Sequence, residues 1–225
     1  MTLNELAYNL LNLLRAGRSS NDEQISLSQI KFNIKHYRAM FIRRDYARNG
    51  LVTRHLEQSL GCLDLIEVDA SQCCSFEVGC PIYRTSLKIP RTVRLNFREA
   101  ITYTGAVNGT QRIPMVEPYE VEYLMYDKYT KRNPKVFMIE DYMYIYNPNG
   151  ISKINVRGIF EDPEELGAYN CETGVCYDSN SQFPLPADMV SAISAGLLNG
   201  ELKLILNPLN DSENDRQQDN QQVQQ

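Results

Sequence analysis

Between residues 27 and 41 five apolar side chains, Leu27, Ile30, Ile34, Tyr37 and Phe41, recur at alternating steps of three and four. That spacing returns to one side of an α-helix at every turn, and the stripe it leaves must be covered by another element. Ser26 with Gln29 makes a capping box and Asn49-Gly50 a stop, so the spacing predicts a helix over residues 26–49. A second amphipathic run precedes it. Thr2 and Glu5 form another capping pair, Leu3, Leu6, Leu10, Leu13 and Leu14 share a face, and Gly17 ends a helix expected over 2–16. Each of these two helices is the other's obvious partner.

After residue 60 the period changes. Residues 63–68, 82–89 and 92–97 read as strands punctuated by Gly79, Pro81 and Pro90. Residues 105–110 read as a loop and 118–130 as a short helix carrying Tyr119, Tyr123, Leu124 and Tyr126. Residues 135–139 and 142–146 predict a hairpin turned at Glu140-Asp141, and 151–160 a further strand. The acidic stretch 161–186 reads as a long surface loop. Pro186 opens a last helix with Met189, Val190, Ile193, Leu197 and Leu198 on its apolar face. Beyond Pro208 six Gln and a cluster of Asp and Asn leave almost nothing to bury, which predicts a disordered tail. The expected fold is α+β: an N-terminal helix pair (1–60), a central mixed β-rich domain (61–183), a C-terminal helix (184–206) and a disordered polar tail (207–225).

The net charge is −5, whereas proteins that coat nucleic acid are usually basic. The sum hides an asymmetry. From Lys31 to Arg54 there are seven basic residues and one acid, Asp45; from Glu161 to Asp188 there are seven acids and no Lys or Arg. Trp is absent and Tyr occurs 14 times; Tyr serves both strands and interfaces. The N-terminus lacks a positive leader, and residues 189–200 are too short and polar to span a bilayer, so a soluble protein made in a cytoplasm and without a membrane role is expected.

No arrangement of residues carries recognisable chemistry. Six cysteines in a chain without a leader predict reduced thiols. Cys73-Cys74 with Cys80, and Cys171 with Cys176, are spaced poorly for structural zinc, and a disulfide is the other alternative. His36 and His55 suit surface or packing roles. Glu161, Asp162, Glu164 and Glu165 lie in a Pro-containing turn, where a solvated face or a helix N-terminus explains them better than a nuclease metal site. No catalytic residue, metal ligand or cofactor is therefore expected. The basic helix could meet phosphates through Lys31, Lys35, Arg38, Arg43, Arg44 and Arg48, but no aromatic ladder accompanies it. It could equally be a solvated flank, or meet an acidic surface on another copy.

Three stretches taken in order resemble the ring-forming connector and tail-stem proteins of crAss-like short-tailed bacteriophages. They are the helix pair with Ile34-Lys-His-Tyr37-Arg38, the run from Cys73-Cys74 through Cys80-Pro-Ile-Tyr-Arg84-Thr85 to Ile89-Pro90-Arg91, and Asn155-Val-Arg157-Gly158-Ile159-Phe160-Glu161-Asp162-Pro163 with the later Phe183-Pro184-Leu185-Pro186. The likeness spans residues 3–206. It implies a virion structural protein, one subunit of a closed ring of about twelve copies below the portal, at the head–tail junction or in the tail, with phage DNA passing through the lumen unbound by sequence. The implied partners are other copies of the chain, the portal protein and neighbouring tail or ring proteins. The alternatives are another virion or scaffold protein, and less so a nucleic-acid-binding protein or nuclease. Within that expectation Lys31, Lys35, Arg38, Arg43 and Arg44 are the candidate subunit-interface residues, facing the acidic stretch of the next copy. Leu198, Leu202, Leu204, Ile205 and Leu206 are the candidates for docking on the portal or an adjacent ring.

Overall fold

The computed structural model describes residues 1–14, 25–51, 53–68, 82–96, 98–124, 126, 128–171, 174–178 and 180–200. Helix α1 spans Leu3–Leu14 and α2 spans Leu27–Asn49. Both predicted caps are present. The Thr2 hydroxyl accepts from the Glu5 amide at 3.1 Å while the Glu5 carboxylate accepts from the Thr2 amide at 2.8 Å. The Ser26 hydroxyl accepts from the Gln29 amide at 3.2 Å, and Gly50 ends α2 in the left-handed conformation. The expected stop at Gly17 lies outside the described residues.

The strands are β1 (Gln58–Val68), β2 (Ile82–Thr85), β3 (Arg94–Leu95), β4 (Arg98–Glu99), β5 (Ile101–Ala106), β6 (Lys135–Ile139), β7 (Tyr142–Tyr146), β8 (Lys153–Gly158), β9 (Asn170–Cys171) and β10 (Gly174–Val175). Helix α3 (Val121–Leu124) continues a 3-10 turn at 118–120, and α4 spans Ala187–Asn199. Six strands form one antiparallel sheet in the order β5-β8-β1-β2-β7-β6. The segment 111–116 bridges its two edges. It bonds back to β5, where the Ile113 amide donates to the Thr104 carbonyl, and then runs beside β6, where the Val116 amide donates to the Val136 carbonyl and the Val136 amide to the Pro114 carbonyl. The result is barrel-like, and both sheet edges are covered.

The α+β fold class agrees with the sequence reading, with several differences in detail. β1 begins at Gln58, five residues before the strand expected at 63–68, because a bulge between Leu60 and Leu63 breaks the alternation and buries both leucines. Residues 101–106, not read as a strand, form β5, and the loop expected at 105–110 contracts to a turn in which Gly109 takes φ 73°. Among the described residues, the strand expected over 92–97 reduces to β3, and the short helix expected over 118–130 is helical only to Leu124. The hairpin turned at Glu140-Asp141 is present in the expected register, with Ile139 paired to Tyr142. The stretch 161–186 is no simple loop. It holds a 3-10 helix over 163–168 and the β9–β10 hairpin.

The main core joins Leu3, Leu6, Ala7 and Leu10 of α1, Ile30 and Ile34 of α2, inward side chains of the sheet such as Leu60, Met143, Ile145 and Val156, and Ile193 and Leu197 of α4. On α1, Leu13 is exposed and Leu11 takes its expected place in the core. On α4, Met189, Val190 and Leu198 are half-buried. Cys176 is disulfide-bonded and Cys62 is a free thiol, which corrects the expectation of six reduced cysteines. The compartment of synthesis does not decide which thiols a fold brings within bonding distance. Cys73, Cys74 and Cys80, the tail 207–225, and the docking candidates Leu202, Leu204, Ile205 and Leu206 lie outside the described residues.

Candidate subunit-interface site

The buried line on α2 is Ile30, Ile34, Arg38 and Ile42, at constant steps of four. Leu27, Tyr37 and Phe41, from the predicted seam, lie one edge over and are only partly buried. A guanidinium therefore occupies a core position, and Arg38 is fully buried. Its Nε donates to the Pro184 carbonyl at 2.8 Å and its Nη1 to the Phe160 carbonyl at 2.7 Å. The Phe183 ring lies 5.6 Å from the guanidinium carbon. Burial lowers the Arg38 pKa to about 10, although the nearby Tyr177 and Asp162 favour the charge. The same burial pushes the Tyr177 phenol up to about 12. Arg38 thus ties α2 to the exit of β8 and to the run that leads into α4, and it presents nothing to solvent.

Lys35, one turn earlier, pairs with the Asp162 carboxylate at 2.7 Å and also with Glu164. Burial pulls its ammonium down, but the hydrogen bonds and charges of the two acids outweigh that, and its pKa ends above the ordinary 10.5. Asp162 also accepts from the Glu164 amide at 2.9 Å and so caps the 3-10 helix that Pro163 opens. These carboxylates therefore sit at a helix N-terminus, the arrangement favoured over a metal site in the sequence. Among the described residues no cluster of His, Cys, Asp and Glu could hold a metal ion, and no helix is long and apolar enough to cross a membrane.

The five basic candidates therefore divide. Arg38 is internal and Lys35 is bound to acids of its own chain. Lys31 is half-buried, while Arg43 and Arg44 are exposed, with the Arg44 guanidinium 4.5 Å over the Phe41 ring. The basic helix and the acidic stretch do meet, but at Lys35 they meet within one chain. Two apolar side chains absent from the sequence reading, Phe32 and Met40, lie on the outer line of α2 with His36 between them. The steps of four from Phe32 through His36 to Met40, half a turn round from Ile30 and Ile34, were the signal available for them. His36 stacks on Phe32 with ring centroids 6.5 Å apart. His55 is elsewhere, in the wall of a cleft of about 940 Å³.

The family described as Phage tail ring protein 2 matches residues 5–220. "Ring protein 2" of Bacteroides phage crAss001 is 27% identical over 201 residues, which are 84% of this chain and 85% of that protein. The family is one of phage tail ring structural proteins and not of enzymes. The chain belongs to the crAss-like phage tail ring protein 2 family, virion structural proteins of the tail.

Proposed function

We propose that about twelve copies of this chain close into a ring stacked below the portal, through whose lumen the phage DNA passes. Membership of a tail ring family carries the reading. A chain with one face for the preceding copy and another for the next closes into such a ring. The outward part of α2, with exposed Arg43 and Arg44 and half-buried Lys31, supplies one of those faces. Lys35 and Arg38 support it from within by fixing α2 on the rest of the fold. The C-terminal stretch from Leu198, with Leu202, Leu204, Ile205 and Leu206, docks on the portal or an adjacent ring. DNA slides through without sticking, so its contact with the wall is weak, salt-sensitive and indifferent to sequence.

The test is cryo-electron microscopy of purified virions together with native mass spectrometry of the purified chain, with and without portal. The reading expects a closed ring on the tail axis whose density fits this fold. A chain placed off the axis, or present as isolated copies, contradicts it. Tight binding of DNA by the isolated protein at physiological salt contradicts the passive lumen.

A further inference from the structure

We infer that neighbouring copies join by seating an exposed ridge of Tyr119, Tyr123 and Tyr126 of one copy in the groove along the outer line of α2 of the next. The inference rests on the ring reading: it defines the contact on the α2 face and names the second face, which the reading leaves open.

The groove has a volume of about 370 Å³ and lies between α2 and residues 93–94. Phe32, 67% exposed, and Met40, 44% exposed, give it an apolar lining with Ala39 and Val93. Arg43 and Arg94 stand exposed on its rim. Glu161 and Asp162 line it too, but Asp162 is held by Lys35. Exposed Arg44 and Arg48 continue the positive charge along the helix. Single exposed apolar residues are ordinary on a surface; a Phe–His–Met line at steps of four beside a groove is not a scattered set.

The ridge has the complementary character. Tyr119, Tyr123 and Tyr126 are 69%, 68% and 78% exposed, while Val121 and Leu124 between them turn inward. Glu117, Glu120 and Glu122 are exposed in the same stretch, and residues 117–126 contain no Lys or Arg. Tyr offers a large, stiff, amphipathic surface at small entropic cost, which is why it is enriched in interface centres. Acidic flanks around tyrosines match arginines around Phe32 and Met40.

The two faces are separate parts of the fold. The ridge is backed by its own cluster of Val121, Leu124, Phe137, Tyr144 and Tyr146 on β6 and β7. The groove is backed by Ile42, Leu56, Val93, Leu95, Ala100 and Ile159. In the sheet order β7 is three strands from β8, the strand that leads to Ile159. Two different, mutually complementary patches make a heterologous contact, the kind that closes into a ring.

The experiment compares the full chain with Arg43→Glu, Glu122→Arg, the double variant and Tyr123→Ser. Native mass spectrometry and sedimentation velocity follow self-association across the micromolar range, and circular dichroism confirms the fold. Each charge reversal should weaken the contact about tenfold, a loss that ring closure multiplies over every interface. Tyr123→Ser should weaken it without changing charge. The double variant, with an acidic groove and a basic ridge, should recover assembly. Single variants that assemble like a ring-forming wild type overturn the pairing and leave the ring reading intact. A wild type that stays monomeric throughout overturns both. Variants that self-assemble normally but fail to join another tail protein overturn the self-contact and give the ridge to that partner.

Discussion

Arg38 Nη1 donates to the Phe160 carbonyl at 2.7 Å, across 122 positions of sequence, inside a shell that leaves the guanidinium no solvent. The same side chain reaches Pro184, 146 positions away, through Nε. Two backbone carbonyls that have no partner in a sheet or helix ladder are thereby satisfied by one planar donor. Nη2 has no hydrogen-bond partner among the described residues, and the Phe183 ring lies beside the guanidinium. α2, the end of β8 and the approach to α4 are fixed relative to one another by this residue.

Arg38→Ala should accordingly destabilise the chain by about 3 kcal/mol, from the unpaired carbonyls and the volume removed. Arg38→Lys should recover less than half of that, because one ammonium cannot present the two in-plane donors. Urea unfolding at neutral pH measures both. An Arg38→Ala variant as stable as wild type would show that the two carbonyl bonds contribute nothing.

The parts of this fold that were legible in the sequence are the locally determined ones. Thr2 with Glu5 and Ser26 with Gln29 announce helix starts within four residues, and the 135–146 hairpin carries its own register in Glu140-Asp141. β5 was not legible, because Thr102, Tyr103, Thr104 and Gly105 give little apolar alternation and its partner β8 lies some fifty residues on. The start of β1 was hidden by its bulge. At the site, the charge asymmetry led to a basic helix facing the acidic stretch of the next copy, whereas Lys35 pairs with Asp162 of its own chain. It could not say whether Lys35 finds Asp162 in its own chain or in another copy, since composition is the same for both. Nor could it reveal that Arg38 is buried, for the carbonyls that hold it are backbone groups with no side-chain pattern of their own.

The Lys35 pair makes a pH-dependent contribution with a definite sign. Its native pKa lies above the ordinary value of 10.5, so the stabilisation is fully present below 10.5 and is lost as pH rises through the native value. The pair is partly exposed, and its worth is about 1 kcal/mol. The difference in unfolding free energy between wild type and Lys35→Met should therefore hold constant from neutral pH up to about 10 and shrink above it. Stability titrated for the two proteins in parallel measures it, and a difference that grows with alkalinity would reverse the assignment.

At the β6–β7 turn Glu140 and Asp141 adopt φ 50° and 67°, the left-handed region that costs ordinary side chains and suits Asn-Gly. The Asp141 carbonyl still accepts from the Ile89 amide at 2.7 Å, a backbone bond that substitution leaves in place. Replacing the pair as Glu140→Asn with Asp141→Gly should stabilise the chain by about 1 kcal/mol. A higher urea midpoint at unchanged slope is the expected result.

The last prediction concerns the C-terminal stretch. Leu198 is half-buried at the end of α4, while Ile193 and Leu197 complete the helix's inner face. Those two residues hold α4 against the core, so a chain ended after Leu198 retains the buried contacts of the described fold. What it loses is Leu202, Leu204, Ile205 and Leu206, the apolar residues proposed to dock on the portal or an adjacent ring. A chain ended after Pro208 keeps them and loses only the polar tail. The first truncation should fold, with a thermal midpoint close to that of the full chain, and fail to join the portal. The second should bind with affinity reduced only modestly, because tail residues that become ordered on a partner repay much of their binding energy as entropy. Co-sedimentation of each truncated chain with purified portal, scored against the full chain, reads the difference. If the chain ended after Leu198 joins the portal as the full chain does, the docking surface lies elsewhere.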